Sequence, residues 1–584
     1  MTLQNFFAEL KRRNVLRAAA FYAASAWLLV QVATQVFPFF HISEWVVRWI
    51  VVAAAIGFPF AMLFSWFYEW TPQGLQRESE IEPNESITRQ ADKKLDRWII
   101  AILALAVVLL LADKLILPKA ANPGSDKAAN SDQSIAVLPF LNMSSDKEQD
   151  YFSDGLSEEL LNQLAQIPQL RVIARTSSFS FKGKEVDVAT IAKALNVANV
   201  LEGSVRKSAN TLRITAQLVR ASDSSQLWSQ TYDRQMTDVF KVQDEIAGDV
   251  VAALKVKLLP TQQLPKTQRT RNPEAYEHYL LGMDISRRDR LEASQMAAAE
   301  FQKAITLDPG YANAYAALAI AQARGADLAP SQAQRTEEIK QALATIEQAI
   351  TLAPDLALGY IRRGYLRYTR AWDWQGAGGD FKRALALDPS NAELLSSYSQ
   401  NLFFNGHQEE AIALARKATV IDPLSLNVWH NLGLLLFSSG QDAEARLAWQ
   451  HAFDVNAGAR WPNYLVGYLD LKEGKIENAR AHFRASDEPF RLTGTAMLEH
   501  TLGHALESEQ ALDVLKKKYT AGSAFQIAAI YAWRGEKDQA FEWLDRAYDQ
   551  HDAGMPRLRY DPTLASLHDD PRFAALVKKM GFAE

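Results

Sequence analysis

Few stretches of this chain offer ionisable or nucleophilic side chains at spacings that could do chemistry. Asp150, Asp154, Glu158 and Glu159 crowd a strand-to-helix connection, where two acids can serve as general acid and base. Acids at a helix start also oppose the positive end of its dipole, which is the plainer account of them. Arg175–Thr176–Ser177–Ser178 with Lys182 carries donors for an anion, yet no glycine-rich helix start accompanies them to cradle a phosphate. His500 and His504 are four residues apart, the spacing of two metal ligands on one helix face. No glutamate follows the first, and no third ligand is in view. There is no cysteine, which excludes disulfides, thiolate zinc sites, iron–sulfur clusters and a cysteine nucleophile. No G-x-x-x-x-G-K-[ST] loop, G-x-S-x-G elbow or G-x-G-x-x-G fingerprint occurs. The expectation is a protein that is not an enzyme and holds neither metal nor cofactor.

The elements must then carry a function of another kind. Over 584 residues, 63 lysines and arginines against 68 acids give a net charge of −5. That balance excludes the basic surface of a nucleic-acid binder, and Arg287, Arg288 and Arg290 read as a solvated hairpin surface. The apolar residues gather at the front. Two segments, 18–37 and 49–68, have the length of a ~30 Å hydrocarbon core at ~1.5 Å per residue. A third, uncharged over 98–112, reaches 98–117 as a span where Asp113 and Lys114 pair or snorkel at the interface. It is otherwise a juxtamembrane helix that leaves the rest of the chain in the cytoplasm. Trp45, Trp49, Trp66, Trp70 and Trp98 bracket them at headgroup level. Lys11, Arg12, Arg13 and Arg17 hold the N-terminus in the cytoplasm, and Arg77, Arg89, Lys93, Lys94 and Arg97 return the second connection there. Residues 1–117 are therefore read as a three-helix anchor in a lipid bilayer, with everything after it across the membrane from the N-terminus.

A polar, proline-punctuated linker, 118–133, leads to a segment of alternating period. Short strands at Ser134–Phe140 and Leu170–Thr176 are interleaved with helices at Ser153–Ile167, capped by Ser153 or Asp154, and Asp187–Leu195, capped by Asp187. Val200–Arg206, Thr211–Arg220 and Gln226–Asp233 follow as strands, with Leu212, Ile214, Ala216 and Leu218 on one face of the second. A helix over 237–258 completes a βαβαβββα order, an α/β domain over 134–258.

After a second linker, 259–273, the chain repeats. Leu307-Asp308-Pro309, Leu352-Ala353-Pro354, Leu387-Asp388-Pro389 and Ile421-Asp422-Pro423 recur at spacings of 45, 35 and 34 residues, around the tetratricopeptide (TPR) period. In 426–459, Trp429, Leu432, Gly433, Ala445, Trp449 and Ala452 occupy the consensus sites. About eight helical hairpins over 274–554 form an all-α superhelix (an α-solenoid), and 555–584, with a helix over 570–580, forms a C-terminal capping region. Positions 2, 5, 9, 12 and 13 of each repeat line the concave face. They give a candidate peptide-binding groove of Ile361, Tyr365, Tyr368, Phe403, Phe404, Asn427, His430, Phe437, Trp461, Tyr464 and Tyr468, rigid rings suited to an extended or helical peptide. Packing against adjacent hairpins is the plainer role for any one of them.

The stretches SIAVLPF, YFSDGLSEELLNQL, LRVIARTSSFSFKG, VLEGSVRKSANTLRITAQLV and LWSQTYDR resemble the TolB-amino-terminal-like domain that proteobacterial membrane proteins carry ahead of TPR repeats. The segment ELKRRNV…AAAFYAASAWLLVQ…GFPFAMLFSWFYEWTPQGL resembles the three-span anchor of that group. Some members carry a cytoplasmic cyclase or winged-helix domain, which neither the ~17 residues before the first span nor the ~30-residue second connection can fold. The resemblance implies a membrane-anchored, non-enzymatic scaffold or adaptor that binds a protein partner. The alternative it leaves is a transmembrane sensor or signalling subunit without its own output domain.

Overall fold

The computed structural model describes residues 133–254 and 270–582, apart from 168, 209, 289–290, 327–328 and 330, together with scattered positions between 22 and 77. Contacts divide the chain into two units, 1–126 and 127–584. In the first, the Tyr22 hydroxyl donates to the Ala54 carbonyl at 2.9 Å and the ring meets Phe58 edge-on at 5.8 Å. A Cβ on Gly57 would intrude on that hydroxyl, so a small residue lets the first two apolar segments approach closely. An antiparallel hairpin, β1 (Tyr68–Thr71) and β2 (Gly74–Arg77), follows. Most of the three expected spans, 18–37, 49–68 and 98–117, and most of both linkers lie outside the described residues. Among the described residues, no helix is long and apolar enough to cross a membrane.

The second unit opens with a mixed sheet. β3 (Ser134–Val137) is buried at every residue because it is central, parallel to both β5 (Arg171–Val172) and β6 (Asn199–Ser208); a strand covered on both faces is apolar, and its one polar residue, Ser134, accepts from the Ala198 amide at 2.9 Å. The two-residue β4 (Leu141–Asn142) adds to β6. β6, β7 (Thr211–Arg220) and β8 (Gln226–Gln235) form an antiparallel meander of ten-residue strands. Leu212, Ile214, Ala216 and Leu218 are buried on one face of β7. The other face shows the cross-strand pairs Arg213–Asp233 and Thr215–Thr231. Helices α1 (Asp150–Ala165) and α4 (Val239–Ala253) cover the apolar face. The short α2 (Arg175–Phe179) follows β5, and α3 (Val188–Leu195) covers the opposite side of β3. Asp187 caps α3 as its sequence suggests, accepting from the Thr190 amide at 2.9 Å. The cap expected at Ser153 or Asp154 is not made. α1 begins three residues earlier, and both side chains are buried within it; Asp154 is held by Lys182, and the Ser157 hydroxyl, donating to the Ser153 carbonyl, accepts from the Phe140 amide just after β3.

Sixteen helices then pair into eight hairpins among the described residues, from α5 (Pro273–Ser286) and α6 (Leu291–Leu307) to α19 (Ala524–Arg534) and α20 (Lys537–Asp549). Four hairpins share one device. A glycine on the first helix faces an aromatic ring of the second: Gly282 with Phe301, Gly364 with Phe381, Gly433 with Trp449 and Gly467 with Phe483. In each, a Cβ would lie inside 3.0 Å of the ring. Asp or Ser residues start several helices; Ser425, for example, accepts from the Val428 amide.

The α/β domain and the array share one core. Tyr276 of α5 meets Phe152 and Phe240 edge-on and accepts from Gln243 at 3.0 Å. Leu280 occupies the space where a Cβ of Gly155 would sit. A helix-interior glycine costs about 1 kcal/mol, and here it admits that contact. Far along the chain, Asp422 accepts from both the amide and hydroxyl of Ser177, at 3.0 and 2.6 Å, while Ser177 accepts from the Leu424 amide. The Ala174 amide donates to the Ile421 carbonyl. The Asp-Pro turn of the fourth hairpin thus holds the start of α2, and burial raises the Asp422 carboxyl above its ordinary range against those hydrogen bonds.

Two glycines test this packing. Gly433→Ala forces Trp449 out of its seat and should cost about 1–3 kcal/mol. Gly379→Ala, on a helical site with nothing within 4 Å, should be neutral or stabilise by up to about 1 kcal/mol. Urea unfolding of both variants gives the comparison.

Candidate functional site

The charged cluster singled out by sequence neutralises itself. Glu158 lies between Arg175, at 3.0 Å, and Arg287 of the first hairpin. Lys182 reaches Asp154 at 2.8 Å and Asp150 at 3.6 Å. The acids and the anion donors therefore hold each other, and α1, α2 and α5 together. Two buried carboxylates elsewhere are likewise paired, Asp380 with Arg363 and Arg367 at 2.7 and 2.8 Å, and Asp470 with Arg446 at 2.8 Å. His504 turns to Glu499 at 2.8 Å. No group of three or more metal-ligating side chains gathers among the described residues.

The concave face is where side chains converge. Polar residues link its first helices: Tyr368 donates to Gln400, Gln400 to Asn431 at 2.8 Å, and Asn431 to the Ser399 hydroxyl at 2.9 Å. Across this face runs the segment that follows the last hairpin. It forms two 3₁₀ stretches, Met555–Tyr560 and Pro562–Leu567, then α21 (Pro571–Lys579), whose N-cap is Asp570. Met555, Leu558, Asp561, Leu564 and Leu567 are all buried. They recur every third residue, as a helix with three residues per turn requires for one buried face.

Groove side chains read this segment by its backbone. The Tyr468 hydroxyl donates to the Pro562 carbonyl at 3.0 Å, and the Trp374 indole donates to the Met580 carbonyl at 2.7 Å. Tyr560 meets Phe403 edge-on at 5.6 Å, and Phe582 stacks on Trp374 at 5.0 Å. Arg557 lies over the Phe525 ring at 5.6 Å and 3.7 Å from Asp561 of its own segment. At the far edge Trp372 stacks on His551 at 4.1 Å, so the third hairpin touches the end of the eighth.

The expected open row of aromatic residues is corrected accordingly. Ile361, Tyr368, Phe403, Phe404, Phe437, Tyr464 and Tyr468 are buried, because neighbouring hairpins and the segment 555–582 cover them. Asn427 stays exposed and His430 half-buried; Tyr365, at 37%, and Trp461, at 60%, are exposed. Trp461 meets His430 edge-on at 6.3 Å. Sequence reasoning missed Arg557, Tyr560 and Pro562. The sequence offered only Met555, Leu558, Leu564 and Leu567 at multiples of three, a spacing of neither α-helix nor strand that the charged Asp561 interrupts.

Three comparisons bear on identity. The model of the HilA/YgeH-like transcriptional regulator second domain matches residues 131–248, about a fifth of the chain and the α/β domain, where the sequence resemblance points to a TolB-amino-terminal-like domain. A Rhizobium meliloti (strain 1021) protein named "Putative adenylate cyclase 3" is 42% identical over 188 residues, 32% of this chain and 32% of its own length. The cellulose synthase operon protein C of Pseudomonas fluorescens (strain SBW25) is 24% identical over 334 residues, 54% of this chain and 24% of its own. The chain thus spans about a third and a quarter of the lengths of these curated relatives. Among solved structures, a thermophilic TPR protein of Thermus thermophilus is 20% identical, covering 35% of this chain and 95% of its own, with a TM-score of 0.26. The paired helices described above define this part of the chain as a TPR-like helical solenoid joined to an α/β domain.

Burial, with the charge of Arg557 beside it, lowers His430 to about 4. The unfolded imidazole takes a proton near pH 6.5 and the folded one only near 4, so stability should fall on acidification between those values and be fully present above them. His430→Asn should lose less melting temperature over that window than the wild type, as scanning calorimetry would measure; equal losses would contradict this account.

Proposed function

We propose that the protein is a membrane-anchored, non-enzymatic scaffold that binds a protein partner on the concave side of its repeat array. The observation that carries this reading is the set Tyr365, Asn427 and Trp461 along the first helices of the third, fifth and sixth hairpins. These side chains remain accessible while their neighbours are core. Rigid rings contribute contact area at little entropic cost, and the array beneath them is fixed to the α/β domain by a shared core and by Asp422. Pairing of the acidic and basic clusters with one another favours binding over catalysis.

The anchor belongs to the same proposal. Segments 18–37, 49–68 and 98–117 are its spans, and the Tyr22–Ala54 contact supports packing of the first two against each other. The basic flanks put the N-terminus in the cytoplasm and the α/β domain and repeats in the periplasm. A second reading, a transmembrane sensor or signalling subunit, draws support from the match of the α/β domain to a transcriptional-regulator domain. It requires a cytoplasmic partner for the loop 74–97.

Tyr365→Ala combined with Trp461→Ala should remove cross-linked partners from membranes while leaving the helical melt nearly unchanged; an undiminished partner set would count against the concave face. Tyr464→Ala, at a buried ring, should instead lower stability by about 3–5 kcal/mol. A periplasm-dependent phosphatase fused after Gly124 should be active, and a cytoplasm-dependent reporter at the same site should be silent. The reverse pattern would overturn the topology.

A further inference from the structure

We propose that the segment Gly554–Phe582 is a tethered ligand of the concave groove, which must leave as a unit before a partner segment of the same chemistry can occupy it. This inference rests on the scaffold reading and names its regulation.

The contacts are those of a groove with a peptide. Tyr468 and Trp374 donate to main-chain carbonyls of the segment, at Pro562 and Met580, and Ser566 of the segment returns a hydrogen bond to the Ala532 carbonyl at 2.8 Å. Backbone recognition with aromatic walls is how grooves take peptides in general. Nor does the conformation sustain itself. Isolated 3₁₀ helix is poor beyond three or four residues, yet two six-residue stretches occur here in succession; docking holds them.

The fit also leaves buried polar atoms without partners. His430 Nδ1 and Gln526 Oε1 are buried against this face without hydrogen-bond partners. Arg557 stands among Phe525, Tyr464, Tyr368 and His430, and its carboxylate, Asp561, comes from the segment itself. Groove and segment thus leave polar atoms unsatisfied that another occupant could pair. The segment enters through His551, a non-glycine residue with φ of +53°, and Gly554, where a Cβ would meet Phe525 inside 3.0 Å. Asp552 fixes that turn, accepting from the Phe525 and Gly554 amides at 3.2 and 2.8 Å, so the segment joins the eighth hairpin through one defined corner. The competing partner is a turn-forming peptide with apolar side chains at every third residue and a cation to set among the rings.

Native-state hydrogen exchange on the full chain tests the tether. Amides of 555–567 should exchange at least about tenfold faster than those of Ala524–Arg534 under conditions well below unfolding. Equal rates would make the segment an integral part of the core and overturn the proposal. A labelled synthetic peptide of residues 554–582 supplies the second arm. It should bind the full-length Leu564→Asp variant at least about tenfold more tightly than the wild type, a difference of about 1.4 kcal/mol. Tyr560→Ala replaces that variant if its helical signal is lost. Equal binding to both proteins, or binding to neither, would overturn the proposal. Failure of the scaffold reading shows separately, as partner cross-links unchanged by Tyr365 and Trp461 variants while the exchange difference persists.

Discussion

A two-helix hairpin buries the seam between its own helices and leaves apolar surface on both flanks and along its inner edge. Every large feature of the second unit answers where that surface goes. The flanks stack on neighbours, and the Gly–aromatic seats at 282, 364, 433 and 467 let the paired helices close tightly. The outer flank of the first hairpin rests on the α/β domain, where Tyr276 and Leu280 complete a core begun by Phe152, Leu156 and Ile246. The inner edge is covered by the segment that follows the eighth hairpin.

This arrangement ties distant parts of the chain together. The start of α2 is held to the fourth hairpin by Ser177 and Asp422, 245 residues away, and the third hairpin meets the eighth through Trp372 and His551. Charges serve the same end. Glu158, Asp154 and Asp380 pair with neighbouring arginines and lysines, which makes them fasteners between elements.

How far the sequence could be read depended on the range of the interaction concerned. The strict alternation in 211–220 and the Asp187 cap were legible because each depends on residues a few positions apart. The TPR period was legible because each hairpin repeats the same short-range seam, down to Gly433 and Trp449. The start of α1 was not, since Asp154 was claimed by Lys182 from another element and Ser153 was buried inside a longer helix. Nor was the state of the aromatic row. Consensus position says which way Tyr464 or Phe403 points, and cannot say what arrives to cover it.

The sequence by itself determined the solenoid, the α/β order beside it and the direction of the concave face, all consequences of local period and volume. Only the tertiary structure decided that most of that face is filled by the chain's own residues 555–582. The reason is physical: 3₁₀ turns have no stability to announce themselves, and Met555, Leu558, Leu564 and Leu567 take that form only because the groove offers their common face a place to be buried.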